Sequence, residues 1–236
     1  MEGIGESLGK KVSKDMLKRF LKKLGYTYRR IRKRLKKSPD PAEYERKFKE
    51  LQKLIELEKN SFLTIYYADE AGFSEVPCIP YGWQPKKAPL SIPSQRGSRL
   101  NIFGLMGRHN ELHAYSTLKK VDSDFVIASI DDFVSDKCDK GRSVIVIDNA
   151  TIHHSQAFKA KIPEWEALDV FVFYLPTYSP HLNLIETLWR KCKYEWLLPQ
   201  HFESWKSIMA QIDDILKHFG SKYTIDFAIH LSLIHI

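Results

Sequence analysis

The sequence predicts an α/β protein: a mixed sheet with helices on both faces, preceded by a small basic helical segment. Three observations carry that expectation. Val144–Ile147 and Val170–Leu175 are short runs of β-branched, aromatic and other apolar residues, as in strands buried on both faces. Three earlier strand-like runs, Phe62–Tyr67, Leu100–Met106 and Glu111–Leu118, precede the point where helix-length and strand-length segments begin to alternate. Charge is the third. Residues 10–37 hold 14 Lys or Arg and one acid, a local +13 in a chain of net +8, so the remainder carries −5. A basic arm on a mildly acidic body suits a polyanion-binding module joined to a domain that concentrates carboxylates.

In order, Ser13 is placed to cap a helix on which Met16, Leu17, Phe20, Leu21 and Leu24 recur with helical period, with Gly25 as its stop. Its other face carries Lys14, Lys18, Arg19, Lys22 and Lys23, and Arg29, Arg30, Arg32, Lys33 and Arg34 follow. These are the candidate contacts to double-stranded DNA, through phosphate neutralisation. A solvated charged face is the plainer alternative. The segment, residues 1–38, reads as the last helix and wing of a partial helix-turn-helix unit, so the chain is expected to be truncated at its N-terminus.

Asp40-Pro41-Ala42-Glu43 is a helix start. It predicts a linker helix over about 41–58, within a 39–60 linker, with Tyr44, Phe48, Leu51, Ile55 and Glu58 on one stripe and ordinary surface charges elsewhere. The body is expected to span 61–225. Within it, Pro77–Pro93 reads as an irregular hairpin and Gly107–Asn110 as a turn. A helix over Asp122–Val134 is capped by Asp122, with Asp124, Asp131 and Asp132 facing solvent. Further helices are expected from near His154, over His181–Leu197 and over Glu203–Phe219. Residues 226–236 are expected to be a non-native tail, because Leu231–Ile236 coincides with one reading frame of a sequencing-library adapter. Cys78, Cys138 and Cys192 are isolated and suggest neither a disulfide framework nor a zinc site. No apolar run reaches membrane-spanning length. A cytoplasmic protein without membrane contact is the expectation.

The chemistry is expected at three acids. Asp69 and Asp148 close two predicted strands, and Glu186 lies in the first turns of a predicted helix. Carboxylates at the ends of buried parallel strands face the crevice where α/β sheets bind ligands. Without His or Cys partners they are hard oxygen donors for Mg²⁺ or Mn²⁺. Two such ions roughly 3.5–4 Å apart serve in-line phosphoryl displacement. Taken singly, a strand-end Asp is equally a turn former or cap. Glu70 competes with Asp69, since strand alternation turns only one of them to the crevice. His153 and His154 could contact a phosphate or cap a helix.

Three blocks, YYADEAGF, VIVIDNATIHHS and LPTYSPHLNLIETLW, resemble those of the DDE transposases of the mariner superfamily, specifically the bacterial insertion-sequence family numbered six-thirty. The resemblance extends over roughly residues 12–225. It implies a ribonuclease-H-like core, two divalent metals, and DNA strand cleavage followed by strand transfer by a homodimer acting on terminal repeats and target DNA. It implies that Asp69, Asp148 and Glu186 are the catalytic metal ligands, with Asn149 beside the second. Trp189 would pack the last helix on the sheet, and Tyr178, Ser179 and Pro180 would shape the turn that aims Glu186, with Asn183 in the same block. His181 and Leu184 depart from the family's usual acid and Pro. A DNA-binding remnant without activity and a ribonuclease-H-type host nuclease are the alternatives.

Overall fold

The computed structural model describes residues 13–26, 40–76, 97–137 and 141–227, and the chain divides into two compact units, Met1–Lys37 and Ser38–Ile236. In the first, α1 (Lys14–Lys23) is capped by Ser13, whose Oγ accepts from the Met16 N–H at 3.2 Å. Gly25 turns the chain out at φ +79°, a conformation costly to residues with a Cβ. Lys18, Arg19, Lys22 and Lys23 are exposed, and so are Met16, Phe20, Leu21 and Leu24. Arg29, Arg30, Arg32, Lys33 and Arg34 lie outside the described residues, as do the expected wing, the Pro77–Pro93 hairpin, Cys78, Cys138 and Leu231–Ile236.

The second unit is built on a five-stranded sheet in the order β3-β2-β1-β4-β5. These are β1 (Thr64–Ser74), β2 (Arg99–Gly107), β3 (Leu112–Thr117), β4 (Ser143–Ile147) and β5 (Val170–Tyr174). The β1–β2 and β2–β3 pairs are antiparallel; β1–β4 and β4–β5 are parallel. The helices are α2 (Pro41–Lys59), α3 (Ser123–Lys137), α4 (Gln156–Glu166), α5 (Ile185–Lys191) and α6 (Trp205–Lys217).

Period-two alternation sorts the strand residues into two cores. Ile65, Tyr67, Ala71 and Phe73 face α5 and α6, where Ile185, Leu188, Trp189, Ile208, Ile212 and Ile215 bury, and Leu51 of α2 joins them. Tyr66, Ala68, Phe103, Leu105, Ile145 and Ile147 face Val126, Ile130 and Phe133 of α3 and Phe158 and Trp165 of α4.

Four details differ from the sequence reading. First, β1 does not stop at Tyr67 but runs on to Ser74, because β2 keeps pairing with it. Second, the single helix expected over His181–Leu197 is broken. A 3₁₀ turn (Pro180–Leu182) precedes α5, and a π turn (Cys192–Trp196) follows it. Asn183 is extended between the first two (φ −91°, ψ 103°), its side chain committed elsewhere. Third, Glu58, expected on the inward stripe of α2, is an ion-pair partner there and not only a stripe residue. It pairs with Arg108 at 2.9 Å, both largely buried, and accepts from the Ile65 N–H at 2.8 Å. Fourth, Asp131 accepts from Trp165 Nε1 at 2.8 Å and Asp132 from the Tyr115 hydroxyl at 2.9 Å, so neither merely faces solvent. Asp122 does cap α3, accepting from the Phe125 N–H at 3.0 Å.

Candidate active site

The site begins with register. Parallel pairing of β1 with β4 runs from Thr64 opposite Ser143 to Tyr67 opposite Val146. Continued by two residues, it sets Asp69 level with Asp148. There β4 ends, while β1 continues alone with β2, so one edge of β1 opens into a crevice at the carboxyl end of β4. Asp69 is therefore mid-strand in β1, yet it stands where the parallel ladder stops.

Alternation decides between the two neighbouring acids. Asp69 shares the face of Tyr67 and Ala71, toward α5 and Glu186; Glu70 shares the face of Tyr66 and Ala68, toward α3 and α4. Asp69 pairs across the antiparallel ladder with Gly104. A Cβ at Gly104 would sit 2.9 and 3.0 Å from Trp189 ring carbons and 3.1 Å from Ile185 Cδ1. The bare glycine thus admits α5 against the sheet beside Asp69. Trp189 is buried there, edge-on to Phe73. A glycine inside the apolar strand IFGLMG is a sequence sign of such close approach, and the sequence reading passed over it.

The turn before α5 is tied to the same point. Asn183 Nδ2 donates to the Ala68 carbonyl at 2.9 Å, an acceptor that β4 no longer reaches. Tyr178 takes φ +57°, the buried Ser179 donates from Oγ to the Thr177 carbonyl at 3.2 Å, and Pro180 opens the 3₁₀ turn. Asn183→Ala would leave the Ala68 carbonyl unpaired beside Asp69. The expected loss of stability is about 2 kcal/mol, measured by urea denaturation.

Asp148 Oδ1 accepts from the Ala150 N–H at 2.9 Å and from His153 Nδ1 at 3.0 Å. His153 is 1% exposed, and its Nε2 lies 3.0 Å from Glu70 Oε1. Burial opposes protonation of His153, but its bonds to Asp148 and Glu70 outweigh it and raise the ring to about 9. Burial also opposes ionisation of Asp148, yet the His153 and Ala150 bonds hold its carboxyl below the ordinary value. Asp69 is the opposite case. Burial, then the charges of Glu186 and Glu70, push it up to about 8 despite a backbone bond from Glu70, with Asp148 adding to the effect. Glu186 is raised by the solvent it loses at the crevice and by Asp148, and lowered in part by Lys193.

Asp69 and Glu186 thus each feel the charge of another acid of the expected set. Among the described residues, however, no three His, Cys, Asp or Glu side chains are gathered closely enough to hold a metal ion as they stand. In chemical type the donor set fits a hard divalent cation: three carboxylates, with Asp69 kept from ionising by burial and by its acidic neighbours.

Residues 64–209 match the family model described as "DDE superfamily endonuclease", more than half of the chain. This protein belongs to the DDE endonuclease superfamily. Similar folds occur in structures of the Mos1 mariner transposase. Its paired end complex with Mn matches at 16% identity over 99% of this chain and 70% of that one, with a TM-score of 0.57. Its strand transfer complex matches at 15% over 98% and 68%, TM-score 0.54. Its catalytic domain matches at 13% over 86% and 91%, TM-score 0.51. At these identities the likeness is one of fold: the ribonuclease-H-like sheet of DDE transposase catalytic domains. No curated protein matches.

Around the three candidate acids, the remaining residues of the three blocks hold loops. Asn149 donates from Nδ2 to the Leu175 carbonyl and faces His154 Nε2 from Oδ1 at 3.2 Å. His154 stacks on Tyr174 with ring centres 4.7 Å apart, and the Tyr174 hydroxyl donates to the His153 carbonyl at 2.8 Å. His154 therefore braces the loop, whereas His153 reaches the acids. His181, the departure from the family pattern, contacts the Tyr44 hydroxyl at 3.0 Å and so links α2 to the third block. No helix among the described residues is long and apolar enough to cross a membrane.

Proposed function

We propose that this DDE endonuclease is a transposase of the bacterial insertion-sequence branch numbered six-thirty, and that Asp69, Asp148 and Glu186 are its catalytic metal ligands. The observation that carries this is that strand register, continued two residues, sets Asp69 of β1 level with Asp148 just past the end of β4, and that Asp69 feels the charges of both Glu186 and Asp148. The ions are Mg²⁺ or Mn²⁺, two per site. When bound, they supply the positive charge that lowers the pKa of an attacking oxygen and stabilises the leaving oxygen at phosphorus. The protein's own part is placement. β1 carries Asp69 and the end of β4 delivers the backbone of Asp148, Gly104 and Trp189 set the height of α5, and the Asn183 bond sets where α5 begins, hence where Glu186 points.

The DNA partner is a double helix bearing the element's terminal repeats, followed by target DNA. The exposed Lys18, Arg19, Lys22 and Lys23 of α1, together with Lys14 and the Arg29–Arg34 run, would neutralise its phosphates. The solved Mos1 complexes pair a protein of this fold with transposon ends; a homodimer on paired ends is the corresponding assembly here. The test is Mg²⁺- or Mn²⁺-dependent nicking of a duplex carrying the element's flanking repeats. Cleavage by the wild type and its loss in Asp148→Ala are expected. Salt-sensitive binding without cleavage by either protein would reduce the function to DNA binding. Cleavage of RNA–DNA hybrids in preference to the duplex would instead point to a ribonuclease.

A further inference from the structure

His153 has two ring nitrogens and offers each to a carboxylate: Nδ1 to Asp148 Oδ1 at 3.0 Å and Nε2 to Glu70 Oε1 at 3.0 Å. The Asp148 backbone carbonyl, a third acceptor, lies 3.3 Å from Nδ1. With both carboxylates ionised, all three are acceptors and both nitrogens donate. The ring cannot swing away. It is 1% exposed, tilted against Phe158 at 5.8 Å, and its own carbonyl is held by the Tyr174 hydroxyl. Glu70 is equally committed, since strand alternation points it away from Asp69 and α5 and toward the imidazole.

Asp148, by contrast, terminates a strand and would otherwise be free to rotate about its side-chain bonds. Its Oδ1 is saturated by His153 and the Ala150 N–H, and Oδ2 takes no hydrogen bond from the described residues. We infer that Glu70 and His153 are positioning residues, a carboxylate–imidazole relay built on the buried His153 ring that locks Asp148 by Oδ1 and leaves Oδ2 to meet a metal ion. Glu70 thus does not take the role its sequence position suggests, that of an alternative ligand to Asp69. The physical logic is that of a metal ligand oriented by a partner one bond further out, where the partner's loss weakens the metal without removing a ligand. The relay also explains why a histidine sits among these acids without being a ligand itself: both of its nitrogens are used.

The inference rests on the proposed metal-binding role of Asp148, and the experiment separates the two. Mn²⁺ binding to the full chain without DNA is followed by the loss of the free-ion electron paramagnetic resonance signal, with circular-dichroism melting of each variant as the folding control. Wild type should bind and Asp148→Ala should not. Glu70→Ala, which leaves His153 without its outer partner, should bind about 10- to 100-fold more weakly while melting within a few degrees of wild type. Glu70→Gln, whose amide oxygen still accepts from Nε2, should stay within about threefold of wild type, as a hydrogen-bond acceptor would and a charged metal ligand would not. Glu70→Ala binding like wild type would overturn the relay. Glu70→Ala and Glu70→Gln both failing as completely as Asp148→Ala would also overturn it, by making Glu70 a ligand. Mn²⁺ binding that survives Asp148→Ala would overturn the metal-site reading itself.

Discussion

Asp69→Asn is expected to make the metal-free protein more stable while abolishing metal-dependent cleavage. The folded site pushes the Asp69 carboxyl up to about 8, through burial and the charges of Glu186 and Glu70. An unfolded chain ionises it near the ordinary carboxylate value of about 4. The sign follows from linkage. Between those two values the folded state holds a proton that the unfolded state has released, so stability falls as pH rises, and the loss is complete above about 8. Asparagine keeps the shape and removes the charge. If only a third of the shift is recovered, the gain is about 2 kcal/mol, or roughly 4–8 °C in melting temperature for a domain of this size. The gain should be largest at pH 8–9 and nearly absent at pH 4. Mn²⁺ should raise the melting temperature of the wild type at pH 8 and leave Asp69→Asn unmoved. Cleavage should drop by about 10³-fold or more, equivalent to at least about 4 kcal/mol of transition-state stabilisation. Scanning calorimetry across pH, with and without Mn²⁺, reads the first part and a nicking assay the second. A variant no more stable than wild type at pH 9 would show that the carboxyl is not strained by its surroundings.

Gly104→Val is expected to cost about 3 kcal/mol, and to lower cleavage further than the stability loss alone explains. Even a single Cβ would stand 2.9–3.1 Å from Trp189 and Ile185, closer than carbon atoms approach, and valine adds two methyl groups on the same side. Trp189 cannot turn aside, being buried against Phe73, so α5 must lift from the sheet and carry Glu186 with it. Displacement of a catalytic group by about 1 Å costs roughly 10²-fold in rate. Asp69 and Asp148 would stay where they are, since β1 and β4 still pair. Urea denaturation gives the stability term. Cleavage measured well below the melting temperature gives the positional one. Wild-type cleavage from a destabilised but folded Gly104→Val would mean that the height of α5 does not aim Glu186.

The element order, the buried parallel strands β4 and β5, and the caps at Ser13, Asp40 and Asp122 were all legible in the sequence, because periodicity and capping chemistry act over a few neighbouring residues. The three candidate acids stood out there too, through the local setting of each; their catalytic role is our proposal. Tertiary contact decided what local pattern could not. Whether Asp69 or Glu70 faces the crevice depends on which face of β1 receives α5, and that contact joins residues more than a hundred positions apart, as does the Asn183–Ala68 bond. The break at Asn183 competes against good helix periodicity and prevails because an open carbonyl at the end of β4 needs a donor. Periodicity puts Glu58 on the inward stripe of α2, but its partner, Arg108 from a distant turn, comes only with the fold. His153 and His154 are adjacent and alike in sequence; only the fold sends one between two carboxylates and the other onto the face of Tyr174.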